Sequence, residues 1–237
     1  MASETQRQRK ISNKTDIVPE CNFARRKRFE NLEILSAGIR INKYDIPVLT
    51  PLSHIEDNTK FVSFNVLRTL KQKNGYGVHF FIDDYQFERL WQRPEVYIKM
   101  LRECKYVFTP DFSLYVDAPY AVQLWKHYQK QWFGRYMQSS GILTIPTLGW
   151  SDERSFEFCF EGIPSGGIVA VSSVGTQNSS VSKHLFKQGF EKAIEILTPS
   201  TILFFGQIPA EIDISGLNIV HYPHSFDVKF KAMRDGR

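Results

Sequence analysis

Apolar positions along this chain fall into two rhythms. From residue 60 onward, short apolar runs at 61–64, 78–82, 106–109, 142–145, 168–172, 201–205 and 218–221 alternate with longer stretches of helical period. Most of the runs are rich in β-branched or aromatic residues, and several show no polar alternation. That is the mark of strands buried on both faces of a parallel sheet. Between them, the spacing predicts a helix over 120–139, with Ala121, Trp125, Tyr128, Trp132 and Tyr136 at three- and four-residue steps. Lys126, Lys130 and Arg135 are expected on its opposite, charged face. A second helix over 180–197 sets Leu185, Phe186, Phe190, Ile194 and Leu197 on one stripe, with Ser180 as its N-cap and Thr198-Pro199 as its stop. Shorter helical pieces are expected over 86–91 and 94–104, where Pro94 suits a first turn.

Strands alternating with helices predict an α/β fold with a mostly parallel sheet and right-handed crossovers. A compact or incomplete (β/α) barrel accommodates seven such units. An open doubly wound sheet is the alternative, although no Gly-rich dinucleotide turn anchors one. Before residue 60 the pattern changes. Residues 31–59 read as short extended pieces packed on a domain of 60–237, and residues 1–30 read as a flexible arm.

Charge sharpens that division. The chain of 237 residues carries a net +5, but residues 1–30 hold eight basic and four acidic side chains, so nearly all the excess sits in the arm. Arg25, Arg26, Lys27 and Arg28 form its densest cluster. Such a cluster suits a polyanion, most often nucleic acid, or serves as a solvated tail. A hydrophobic content of 42% argues for a packed core rather than disorder. The apolar runs are too short to span a bilayer, and the polar, basic start lacks the apolar stretch of a signal peptide. The expectation is therefore a cytoplasmic chain with no membrane partner. Cys21, Cys104 and Cys159 lie far apart with no CxxC pair, which suggests reduced thiols and argues against structural zinc.

Candidate chemistry is sought after the strands, where parallel α/β folds place their sites. The first strand leads into Asn65, the second into Asp83-Asp84, and the third into Asp111. Carboxylates on neighbouring strand ends can act as general acid and base, or Asp83 and Asp111 can hold a divalent metal. Asp83 or Asp84 can equally cap the next helix. Trp150, between Gly149 and Ser151, is a candidate ligand-contacting aromatic. Ser172, Ser173, Gly175 and Gln177 form a small-residue loop whose following helix could receive a phosphate or could simply be capped. The Trp125, Tyr128 and Trp132 face is expected in the core rather than as a base-stacking platform. No HExxH, GxSxG or GxGxxG pattern is present.

Longer segments carry a resemblance. HFFIDDYQFERLW (79–91), FTPDFSLY (108–115), GRYMQSSGILTIPTLGWSD (134–152) and FEFCFEGIPSGGIVAVSSVGTQ (156–177) resemble a domain of unknown function found in small proteins of phages, plasmids and integrative elements of Gram-positive bacteria. The likeness covers roughly 60–225 and leaves out the arm. It implies a mobile-element setting but no catalytic roles, because the family's activity is not established. Some members resemble proteins labelled as rolling-circle replication proteins. This chain departs from them in lacking the His-x-His pair of a nicking initiator. Three functions follow as expectations. The first is a nucleic-acid-linked role in replication or maintenance of the element. The second is an enzyme with a strand-end carboxylate site acting on a phosphate-containing substrate. The third is a non-catalytic protein that binds a host factor.

Overall fold

A computed structural model describes residues 30–31 and 41–223. The chain divides into two units, residues 1–39 and 40–237, and every element named below belongs to the second. Among its described residues seven strands form: β1 (Lys60–Ser63), β2 (Tyr76–His79), β3 (Tyr106–Phe108), β4 (Thr144–Ile145), β5 (Ile168–Ser172), β6 (Thr201–Phe205) and β7 (Ile219–Tyr222). They pair in parallel as β1-β2-β3-β4 and as β5-β6-β7. A single parallel bridge, Thr147 to Ala170, joins the two sheets. Around it, Leu148 N–H donates to the Ala170 carbonyl at 2.7 Å and Ala170 N–H to Pro146 at 2.9 Å. Spatial order therefore follows chain order.

Side chains show how far the sheet curls. Phe61 of β1 meets Phe108 of β3 at 4.6 Å between ring centres and Tyr222 of β7 at 5.3 Å. Tyr222 stacks on Phe205 of β6 at 4.7 Å, and its hydroxyl donates to the Thr59 carbonyl at 3.1 Å. First and last strands thus share one aromatic core. No backbone ladder joins β7 to β1 among the described residues, so the sheet does not close into a barrel there, and first and last strands meet only through side chains.

Four helices lie between the strands: α1 (Arg89–Gln92), α2 (Pro94–Leu101), α3 (Tyr120–Ser139) and α4 (Ser180–Leu197). α4 lays Phe186, Phe190, Ala193 and Leu197 on Val169, Val171, Ile202 and Phe204. Each fully buried large apolar side chain there contributes about 1.5–3 kcal/mol. The N-cap of α4 is Ser179, not Ser180 as expected. Ser179 is extended (φ −146°, ψ 161°) and forms a reciprocal capping box with Ser182, a geometry that a residue already in the helix cannot adopt. α4 stops where expected, at Thr198 in the left-handed region.

The remaining crossovers hold no α-helix among the described residues: β1–β2 contains only a 3-10 turn (Leu67–Thr69), β4–β5 only a 3-10 helix (Glu153–Glu157), and the segment 206–218 before β7 neither. The latter is broken by Gly206 and Gly216 at positive φ and by an Asp213–Ser215 turn. The charged outer face expected of α3 is only partly there. Lys130, His127 and Gln131 are each fully buried, because α3 is covered on both flanks. Trp91 packs on Trp125 and Trp132 on one side, and Phe158 packs on His127 on the other. Residues 41–59 run across this domain, with Leu49 N–H donating to Gly162 and Leu52 accepting from Ile168. No described helix is long and apolar enough to cross a membrane.

Candidate functional site

β2 ends earlier than its apolar run. The strand stops at His79, and a tight turn follows, in which Ile82 N–H donates back to the Phe80 carbonyl at 2.8 Å. That turn throws Asp83 out into solvent and starts a 3-10 turn over Asp84–Gln86. Asp83 accepts from Gln86 Nε2 at 3.3 Å. Gln86 in turn accepts from Asn65 Nδ2, and Asn65 accepts from Ser63 Oγ. Asn65 and Asp83 therefore belong to one polar chain along the ends of β1 and β2.

Asp84 faces the other way, toward the segment after β3. Its carboxylate accepts from Ser113 N–H at 3.1 Å and Ser113 Oγ at 2.9 Å, and meets Lys126 Nζ at 3.4 Å. One helical turn along α3, Lys130 reaches Asp111 at 3.1 Å. The i, i+4 spacing of the two lysines thus matches two acids on neighbouring strand ends, forming a pair of Asp–Lys rungs between α3 and the sheet. Lys130 is 0% exposed, and a Cβ on Gly149 would come within 3.0 Å of its Nζ, so the glycine leaves room for the ammonium. Thr109 and Thr147 hold β3 and β4 together beside it, with Thr147 N–H donating to Thr109 Oγ1 at 2.8 Å. Burial pushes the Asp111 carboxyl above the usual carboxylate range. The Asp84 charge adds to that effect, while the Lys130 ammonium and a bond from Thr147 oppose it.

Between these segments opens a pocket of about 620 Å³. The β2 side contributes Asp83, Asp84, Tyr85 and Glu88. The β3 side contributes Ser113, Tyr115 and Ala118, and α3 contributes Val122, Gln123 and Lys126. Tyr85 is 75% exposed, Tyr115 62% and Val122 45%, an unusual density of open apolar surface. Of the described lining residues, Lys126 alone is positively charged, and it already faces Asp84 and Glu88.

The other residues singled out in the sequence are not brought to this pocket. Trp150 is packed on Phe186 and Phe160, over Gly189, and its indole N–H donates to the Leu185 carbonyl at 3.0 Å. Ser172 and Ser173 lie at the end of β5 with their hydroxyls engaged locally. Ser172 accepts from Val174 N–H, and Ser173 donates to the Gln207 carbonyl. Gly175 makes a turn at φ 80°, and Gln177 donates to Thr176. Arg25, Arg26, Lys27 and Arg28 lie outside the described residues. Among the described residues no three His, Cys, Asp or Glu side chains gather as a metal ion needs; Asp83 bonds Gln86 and Asp111 pairs with Lys130. Cys104 and Cys159 are free thiols, each pushed up to about 12 by burial, which suits core fillers rather than nucleophiles.

Sequence reasoning missed Lys126, Lys130, Glu88, Ser113 and Tyr115. The legible signal was the lysine pair at i, i+4, because two acids lie ahead of it at consecutive strand ends.

Residues 40–223 match the family described as "Domain of unknown function (DUF4417)". The chain belongs to this family. The match takes in residues 40–59, which the resemblance over roughly 60–225 leaves out. The family member is similar to the "Gene 1 protein" of Mycobacterium phage L5, 36% identical over 211 residues that cover 89% of this chain and 92% of that protein. It is also similar to the "Gene 1 protein" of Mycobacterium phage D29, 33% identical over 208 residues, covering 88% and 77% respectively. These relatives support a phage setting. No solved structure matches.

Proposed function

We propose that this phage-family protein is a ligand-binding α/β domain that works through the pocket between the β2 and β3 ends and α3. One observation carries this reading. The strand-end face holds a cavity of about 620 Å³ in which carboxylates and exposed tyrosines converge, where parallel α/β folds bind ligands. Thermal denaturation of wild type and Asp83→Asn against divalent metals, nucleotides, oligonucleotides and organic cations tests the site. A ligand that raises the melting temperature of the wild type, and raises that of the variant less, is the expected outcome. A ligand that stabilises both proteins equally argues for a site elsewhere.

The charge of residues 1–30 supports a second, compatible reading, in which the arm ties the domain to nucleic acid during replication or maintenance of the phage genome. In the same oligonucleotide arm of the experiment, stabilisation should fall steeply with salt and be lost on deleting residues 1–30. Salt-independent binding contradicts it.

A further inference from the structure

The geometry points to a basic protein segment as the occupant of the strand-end pocket: an arginine or lysine side chain set among Tyr85, Tyr115 and Val122, with its charge against Asp83 and Glu88. This rests on the proposed site and names its ligand class.

Charge gives the first argument. Asp84 is spent internally, on Ser113 and Lys126. Asp83 has one side-chain bond, to Gln86, and is exposed. Glu88 is 3.8 Å from Lys126 with about half its side chain open to solvent. The uncompensated charge of the pocket is therefore negative, and its complement is a cation. A phosphate would have to compete with Asp84 and Glu88 for Lys126, the one ammonium of the described lining. The phosphate-containing substrate expected from sequence is the less favoured ligand for this pocket.

Exposure gives the second argument. Small-molecule sites bury most of the ligand against an enclosed lining, whereas Tyr85 and Tyr115 stand 75% and 62% open. Open tyrosines beside carboxylates are what a protein interface offers to an arginine. The planar guanidinium stacks on an aromatic face and binds a carboxylate with two donors. Its alkyl stem would lie along Val122 and Ala118.

Fluorescence anisotropy of a short labelled peptide of alternating arginine and leucine, titrated with the full chain, tests this. Its glutamate-for-arginine counterpart and a single-stranded oligonucleotide serve as controls. The double variant Asp83→Asn with Glu88→Gln alters two exposed side chains and should keep the wild-type melting temperature. The expected result is binding of the arginine peptide alone among the two peptides, weakened about tenfold or more in the double variant. Amide chemical-shift changes should fall on residues 83–88 and 113–122. Equal binding by wild type and variant overturns the inference. An acidic peptide or oligonucleotide that shifts these same amides overturns the ligand class and leaves the site standing. If no probe shifts them, both fall.

Discussion

Lys126 and Lys130 sit one helical turn apart and make the same kind of bond, yet they are not equivalent. Lys130 is sealed behind Gly149 with Asp111 as its counter-charge, while Lys126 keeps about a quarter of its side chain in water. Breaking a buried pair by removing one partner strands the other charge in the interior, which costs about 3–5 kcal/mol. A solvent-accessible pair is worth about 1 kcal/mol or less. Urea denaturation should therefore find Lys130→Ala, which empties a fully buried lysine site, more destabilised than Lys126→Ala, whose lysine keeps about a quarter of its side chain in water. Similar losses for the two would show that Lys130 is not the buried partner of Asp111. The acids were visible in the sequence because they follow apolar runs directly. Their partners were not, because a lysine between His127 and Gln131 carries no mark of which side of its helix is covered. The same limit applied to Trp150. A glycine-flanked loop tryptophan looks open until Gly189, 39 positions away, proves to be the floor beneath it.

At the scale of elements, regular structure was largely legible. α3 and α4 begin and end where periodicity placed them, and β5 and β6 match their apolar runs. What eluded the pattern were the crossovers made of turns, where helical period is absent and only glycine and proline speak. α3 is also tied to the β4–β5 crossover through His127, whose Nε2 bonds the Glu161 carbonyl at 2.8 Å. Burial, with the Lys130 charge added, drives this imidazole down from 6.5 to about 3. An unfolded chain takes up this proton below 6.5, while the folded chain refuses it until about 3. The stability contributed by neutral His127 is therefore whole above that window and lost as pH falls through it. Melting temperatures of His127→Gln should decline less between pH 6.5 and 4 than those of the wild type. An unchanged decline would locate the acid sensitivity elsewhere.

Across the molecule, seven parallel strands curl until Phe61 and Tyr222 meet, so the loops after β2 and β3 converge on α3 at one rim. Sequence alone could list the residues at each strand end but not their neighbours, because strand order decides which loops face each other. Once the order follows the chain, Asp84 and Asp111 become neighbours and Ser172 lies with the other sheet. If the pocket at that rim is the binding surface, filling it must weaken or abolish binding. Val122 is exposed on its α3 wall, so Val122→Trp should occupy the cavity without disturbing the core. The measurement is the affinity of this variant for the arginine–leucine peptide, with its melting temperature taken in parallel. A folded variant that binds about tenfold more weakly or worse is the predicted result. Undiminished affinity in a protein that melts like wild type would contradict the pocket as the binding surface.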